Sequence, residues 1–145
     1  TDVGGVDRAR DFAKRLNDAP LAINDNSRQD HNEAEVMNLI GDVEGKTAVL
    51  VDDMMDTGGT ISEGARLLRA EGARQVYACA THAVFSPPAV ERLSSGVFEE
   101  VIVTNTIPVP SDRQFSQLTT LTIANLLGET IWRIHEESSV SSMFR

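Results

Sequence analysis

Helical and strand-like hydrophobic patterns alternate along the chain, beginning with an amphipathic segment. Apolar residues recur at helical spacing from Val6 to Asn17, which predicts a helix. A short apolar piece, Leu21 to Ile23, comes next. It is followed by nine polar residues, Asn24 to Asn32, which hold no hydrophobic anchor and are predicted to form a flexible loop.

The rest of the chain continues this alternation. Predicted strands are Val36 to Ile40, Thr47 to Val51, Val76 to Ala80, Val101 to Val103 and Leu118 to Thr122. Predicted helices are Ile61 to Ala70, a short one from Pro87-Pro88 to Leu93, and Leu126 to His135. The order predicts an α/β fold with a twisted, mainly parallel sheet of about five strands flanked by helices. The strand from Thr47 is apolar on successive residues, so we expect both of its faces to be covered.

Length and composition narrow the class of protein. The 145 residues are expected to form a single domain, residues 1–145, and contain no apolar run near the roughly 18 residues of a membrane helix. Thirteen basic and 22 acidic side chains leave a charge of −9. That balance argues against nucleic-acid binding, which depends on clustered Lys and Arg. The one cysteine, Cys79, cannot form an internal disulfide, and this favours a cytoplasmic setting.

The segment from Thr47 to Ile61 joins an apolar strand, acidic residues, a double glycine and a helix. Asp52 and Asp53 fall at the predicted carboxyl end of the strand, where open α/β sheets bind ligands. Gly58 and Gly59 allow backbone conformations closed to other residues and let a ligand approach the main chain. The following helix directs its free N–H groups and the positive end of its dipole into this loop.

Together these parts predict a cradle for one phosphate group, to which Thr57 and Thr60 add hydroxyl donors. The nearby carboxylates suit hydroxyl groups or a divalent cation, and the spacing fits ribose 5-phosphate. The lysine of a G-x-x-x-x-G-K-[ST] loop is absent, which argues against a nucleoside triphosphatase. A plainer interpretation is that Asp56 or Thr57 caps the helix and the glycines form a turn.

The segment Val51 to Thr60 closely resembles the phosphoribosyl-pyrophosphate loop of the ribose-phosphate pyrophosphokinases. The resemblance covers nearly the whole chain and includes the segments Asp2 to Arg10, Glu35 to Val43, Ala80 to Ser86 and Ser139 to Phe144. It implies a type I phosphoribosyltransferase-like fold, corresponding to the C-terminal half of the family's enzymes. Type I phosphoribosyltransferases share the acidic loop but not these flanking segments.

The same resemblance implies roles for individual residues. Asp52 and Asp53 would bind the ribose hydroxyls, and Asp2 would help to hold Mg²⁺ near the ribose. Thr104 and Thr106 are weaker candidates for ligand contact. The 5-phosphate would be bound by five consecutive residues, Asp56, Thr57, Gly58, Gly59 and Thr60.

The family's catalytic loop is altered in this chain. In the family, Lys-Arg-Arg closes over the reacting phosphates while the ribose 1-hydroxyl attacks ATP and AMP leaves. Here the positions read Asn26-Ser27-Arg28, so Arg28 alone retains a catalytic role. Losing one such electrostatic contact typically lowers a rate by about 10²- to 10³-fold.

The family's enzymes are also about twice as long, and their first half supplies the ATP-binding surface. We therefore expect this chain alone to bind ribose 5-phosphate or phosphoribosyl pyrophosphate and to form little product. ATP is expected as a partner only with that other half. A non-catalytic regulatory subunit of the same family and a type I phosphoribosyltransferase remain alternatives. The latter would need a segment that recognises a base, and the sequence offers none.

The chain begins at Thr1 rather than at methionine, and we expect it to be part of a longer protein. By resemblance, an interior strand precedes Asp2. Without it, the sheet would have an exposed edge, and we therefore expect a homo-oligomer. His82 follows a predicted strand without a nucleophile or metal-binding pattern around it, and a structural role is expected.

Overall fold

The computed structural model describes residues 6–16, 19–25 and 38–144. The helices are α1 (Val6–Arg15), α2 (Gly59–Ala70), α3 (Ala89–Leu93) and α4 (Ala124–His135). The strands are β1 (Ile23–Asp25), β2 (Asn38–Ile40), β3 (Thr47–Met55), β4 (Gln75–Ala83), β5 (Glu100–Thr104) and β6 (Leu118–Leu121). Short 3₁₀ turns cover Ser111–Arg113 and Ser141–Phe144.

Strands β3 to β6 form a four-stranded sheet in that order, and every neighbouring pair is parallel. The fold class predicted from the alternating pattern is therefore confirmed. The predicted single sheet of about five strands differs in detail, because β1 and β2 form a separate antiparallel pair in the described residues.

The core lies on one face of this sheet. Side chains alternate between the two faces of a strand, so buried residues recur at every second position of β4 and β5. Helix α2 contributes Ala65 and Leu68 to the core, and α3 contributes Ala89 and Leu93. The strand residues in this cluster are Val76, Ala78, Ala80, Val101 and Val103. The same helices flank the loop after β3, so core packing positions that loop.

Strand β3 extends four residues beyond its predicted end at Val51. Its parallel register with β4 continues as far as Met55 opposite Ala83, and Met55 is only 2% exposed. Asp52 and Asp53 therefore lie inside the strand rather than after it, which corrects the sequence prediction. The two aspartates interrupt the apolar pattern that predicts a strand. Pairing with β4 and the burial of Met55 outweigh their low strand propensity.

The polar stretch predicted as a loop from Asn24 begins as a strand instead. Asn24 and Asp25 belong to β1 and pair with Leu39 and Asn38. The neighbouring strand supplies main-chain hydrogen bonds that the local composition does not reveal. The remainder of that stretch lies outside the described residues.

Strand β3 forms an edge of the sheet in the described part of the chain. Its Val49 side chain is 42% exposed, so the prediction that both faces are covered is wrong for these residues. A mostly apolar cavity of about 450 Å³ lies between α1 and β3 and is lined by residues that include Phe12, Leu16, Val49 and Leu67. This cavity is separate from the loop that follows Met55.

Helix α4 carries an exposed apolar surface. Ile131 is 67% exposed and Ile134 is 64% exposed, while Trp132 beside them is also exposed. None of the residues of α4 is buried. In the described ranges, no helix has both the length and the apolar content needed to span a membrane.

Candidate functional site

Residues 56–58 form a short connection between β3 and α2, and they hold the first part of the candidate site. Gly58 has φ +68° and ψ 7°, in the left-handed region that costs a residue with a side chain about 1–2 kcal/mol. Helix α2 begins at the next residue, Gly59, two residues before the predicted start. Glycine at position 58 thus allows an abrupt change from strand to helix.

No side chain caps the N-terminus of α2. The plainer interpretation, in which Asp56 or Thr57 caps the helix, is therefore wrong. The first intrahelical bond runs from the N–H of Ser62 to the carbonyl of Gly58, at 3.2 Å. The N–H groups before Ser62 precede the intrahelical ladder, and they form the positive end of the helix dipole.

The start of the loop is held by the segment after β4. The Met55 carbonyl accepts hydrogen bonds from the N–H groups of Val84 at 3.0 Å and Phe85 at 3.1 Å. The guanidinium of Arg113 in turn donates to the Val84 and Phe85 carbonyls at 3.4 and 3.3 Å. These contacts join the start of the loop to the segment that follows β4.

Helix α3 packs against the loop between β3 and α2. Gly58 is buried, and a Cβ atom added to it would lie 3.3 Å from Cγ of Leu93 and 3.6 Å from Cα of Ala89. Glycine is required here for two independent reasons, the left-handed backbone and the close approach of α3.

Arg92, on the same helix, reaches the loop directly. Its Nη1 atom donates a hydrogen bond to the Thr57 carbonyl at 3.0 Å. The same atom lies 3.2 Å from where a Cβ of Gly59 would be. Sequence reasoning missed Arg92, because 35 residues separate it from Thr57 and no local motif links them.

The two acidic residues precede the loop on β3. Asp52 is partly buried and Asp53 is exposed. Consecutive strand residues direct their side chains to opposite faces, yet Oδ1 of Asp52 turns back to accept the N–H of Asp53 at 2.9 Å. Asp52 lies opposite Ala80 in the parallel register of β3 with β4.

Threonine hydroxyl groups at the end of β5 and in the loop after it form hydrogen bonds with β4. Thr104 and Thr106 donate from Oγ1 to the Thr81 carbonyl at 2.7 and 2.9 Å. Nδ1 of His82 lies 2.9 Å from Oγ1 of Thr106. His82 lies within β4 rather than after a strand, and its contact with Thr106 connects β4 to the loop after β5.

The structure thus brings seven predicted site residues, from Asp52 to Thr60, to the carboxyl end of β3. Asp2, Arg28 and the neighbouring Asn26 lie outside the described residues. Among the described residues, no group of three or more His, Cys, Asp or Glu side chains is placed to hold a metal ion. Cys79 is partly buried, and burial raises the pKa of its thiol.

The site belongs to an α/β domain, in which helices flank a parallel sheet. One acidic strand of this sheet leads into a helix that has no side-chain cap, and the polar residues of the site lie at the end of that strand. The chain belongs to the phosphoribosyl synthetase-associated domain family, whose model matches residues 17–145. The resemblance to the ribose-phosphate pyrophosphokinases is therefore confirmed.

Two curated relatives and one solved structure illustrate the similarity. A ribose-phosphate pyrophosphokinase of Synechocystis sp. is 80% identical over 144 residues, which cover 99% of this chain and 43% of that protein. Ribose-phosphate pyrophosphokinase 1 of Spinacia oleracea is 72% identical, with the same coverage of both chains.

The crystal structure of phosphoribosylpyrophosphate synthetase from Mycobacterium smegmatis matches with a TM-score of 0.86 at 44% identity. The match covers 94% of this chain and 44% of that chain. The chain therefore spans less than half the length of these relatives.

Proposed function

We propose that this chain is the ribose 5-phosphate-binding domain of a ribose-phosphate diphosphokinase. That enzyme transfers a diphosphate group from ATP to the 1-hydroxyl of ribose 5-phosphate, giving phosphoribosyl pyrophosphate and AMP. The observation that carries the proposal is the uncapped N-terminus of α2, which follows left-handed Gly58 at the end of an acidic strand. Such a terminus stabilises a bound anion through its N–H groups and its dipole.

In this proposal, the 5-phosphate is bound by the main chain of residues 56–60. The exposed Thr57 and Thr60 add hydroxyl donors, whereas Asp56 contributes through its backbone because its carboxylate would repel the phosphate. Asp52 and Asp53 accept hydrogen bonds from the ribose hydroxyls. Asp56 follows Asp53 by three positions, a backbone span of about 10 Å that leaves room for a sugar phosphate between them.

The carboxylates also suit Mg²⁺ carried by the substrate. Mg²⁺ is usually bound by one or two carboxylates together with waters and substrate phosphates, so it needs no cage of several protein ligands. Asp52 and Asp53 precede the proposed phosphate site on β3, and Asp2 is the further ligand that the resemblance implies. A bound cation would neutralise part of the diphosphate charge.

We propose further that the chain alone forms little product. The match covers 43% of the Synechocystis relative, and ATP is expected to bind only when the remaining part of such an enzyme is present. Asn26 also replaces the lysine of the catalytic loop, so a positive charge at the transferring phosphoryl group is missing. The cytoplasmic setting inferred from the single cysteine stays a prediction.

A second candidate is a non-catalytic regulatory subunit of the same family. Asn26-Ser27 in place of two basic residues favours it, because such a subunit needs the sugar-phosphate site but not the catalytic cations. The two candidates differ in whether restoring lysine restores turnover, since a regulatory subunit would stay inactive.

Ribose 5-phosphate should bind this chain saturably in a calorimetric titration, while adenine should give no signal. Asp53→Asn should weaken binding by about 10- to 100-fold, because hydrogen bonds to a charged group are worth about 1.5–3 kcal/mol. Asp42→Asn is the matched control, since exposed Asp42 pairs with Lys46 in the turn after β2. A flat titration with ribose 5-phosphate would contradict the proposed function, and an adenine signal would favour a transferase.

Light scattering should detect concentration-dependent self-association of this chain, because β3 is an edge strand among the described residues and the apolar face of α4 is exposed. Val49→Lys places a charge on the exposed face of β3, and Ile131→Glu tests α4. Asn125→Glu adds the same charge to α4 without removing apolar surface and should leave association unchanged. A monomer at high concentration would rule out the predicted homo-oligomer for the chain alone.

A further inference from the structure

The hydrogen bond between Arg92 and the Thr57 carbonyl acts on the centre of the proposed phosphate loop. Arg92 is partly buried on α3, directly beside Leu93, which packs under Gly58. Because α3 is anchored in the core through Ala89 and Leu93, the guanidinium reaches the loop from a fixed support.

Peptide geometry converts this contact into an orientation of the next N–H. A trans peptide is planar, and its C=O and N–H groups point in opposite directions. The Thr57 carbonyl belongs to the same peptide as the N–H of Gly58. When Arg92 holds that carbonyl on the α3 side, the Gly58 N–H is directed to the opposite side of the loop, away from the guanidinium.

The charge of Arg92 adds to this effect. A hydrogen bond from a cation is stronger than one from a neutral donor, and it polarises the peptide that accepts it. The Gly58 N–H therefore becomes a better donor. It is also the first of the backbone donors that precede Ser62, where the intrahelical ladder begins.

The two glycines of the loop then have different purposes. Gly58 adopts the left-handed conformation, whereas the positive φ values of the described glycines do not include Gly59. A Cβ on Gly59 would instead lie 3.2 Å from Nη1 of Arg92. Glycine at position 59 leaves the space that the guanidinium occupies.

We infer that Arg92 is a positioning residue of the phosphate loop, which directs the Gly58 N–H toward a bound phosphate by holding the Thr57 carbonyl. The inference rests on the proposed function of the loop as the site of the 5-phosphate. Arg92 acts here through the main chain and makes no contact with the ligand.

The test compares Arg92→Met with Arg66→Met in this chain. Both changes remove one arginine, but Arg66 is exposed on α2, about 10 Å along the helix from Gly59. Calorimetric titrations with ribose 5-phosphate and with inorganic phosphate measure affinity. We expect Arg92→Met to weaken both by about tenfold, Arg92→Lys to recover part of the loss, and Arg66→Met to leave both unchanged.

Two further measurements separate positioning from folding. Gly59→Ala keeps Arg92 but displaces its guanidinium, and it should reproduce the loss of affinity even if Arg92→Met does not fold. In amide NMR spectra, the Gly58 N–H should shift on phosphate addition in the wild type and shift less in Arg92→Met. A purely structural role would lower the melting temperature and leave that shift intact.

The possible outcomes separate the positioning role of Arg92 from the proposed phosphate-binding function on which that role rests. Wild-type binding with equal affinity in Arg92→Met and Arg66→Met would overturn the role of Arg92 and leave the ribose 5-phosphate site standing. Flat wild-type titrations with both probes would overturn the proposed function, and the role of Arg92 with it.

Discussion

Asn26→Lys is expected to raise the rate of phosphoribosyl pyrophosphate formation by about 10²- to 10³-fold when the ATP-binding part of the enzyme is present. By the family resemblance, a lysine at this position would place a positive charge beside the diphosphoryl group that is transferred from ATP, whereas asparagine offers only a neutral dipole. Preorganised contacts of this kind typically contribute a factor of this size to a rate.

The measurement uses a chimera of this chain and the portion of the Synechocystis relative that lies outside the match. AMP release is followed by a coupled assay, and the two chimeras compared differ only in the Asn26→Lys substitution. Asn32→Lys is the matched control, because it adds the same side chain within the same polar stretch but not at the family's lysine position. Its rate should equal that of the unchanged chimera.

Equal rates with asparagine and lysine would contradict the catalytic interpretation of this position. If both chimeras bind ribose 5-phosphate and neither turns over, the regulatory candidate is favoured. If the unchanged chimera, with Asn26, already has the rate of the Synechocystis enzyme, the proposed loss of activity is wrong.

Gly58→Ala is expected to lower the free energy of unfolding by about 2–3 kcal/mol and to abolish measurable ribose 5-phosphate binding. A left-handed backbone costs alanine about 1–2 kcal/mol. The new Cβ must also displace Leu93, whose Cγ would lie only 3.3 Å away in a closely packed core. Relief of either strain moves the N–H groups at the start of α2.

Gly45→Ala is the control for this change. Gly45 has the same φ of +68°, but no atom lies within 4 Å of an added Cβ. Its alanine variant should therefore lose about 1–2 kcal/mol of stability and keep full affinity for ribose 5-phosphate. Urea unfolding and calorimetry measure both quantities, and equal losses in the two variants would show that crowding by α3 is unimportant.

The hydrophobic pattern predicted most elements but not their bounds. The pattern locates a strand at Thr47 and a helix before Ala70, because alternation and helical periodicity are local properties. The extension of β3 through Asp52 and Asp53 to Met55 depends on pairing with β4, which is a property of two distant segments. Asn24 and Asp25 were misassigned for the same reason, since β2 supplies their strand partner.

The sequence by itself determined the α/β class, the family resemblance and the position of the acidic and double-glycine loop, and it predicts the loss of a catalytic-loop lysine at Asn26. These are local patterns and residue identities, so they can be recognised without knowing the tertiary structure. Only the tertiary structure decided that no side chain caps α2, that α3 packs against Gly58, and that Arg92 holds the Thr57 carbonyl. The two contacts with α3 join residues 35 positions apart, which no local pattern records, and the missing cap depends on side-chain conformations that the sequence does not specify.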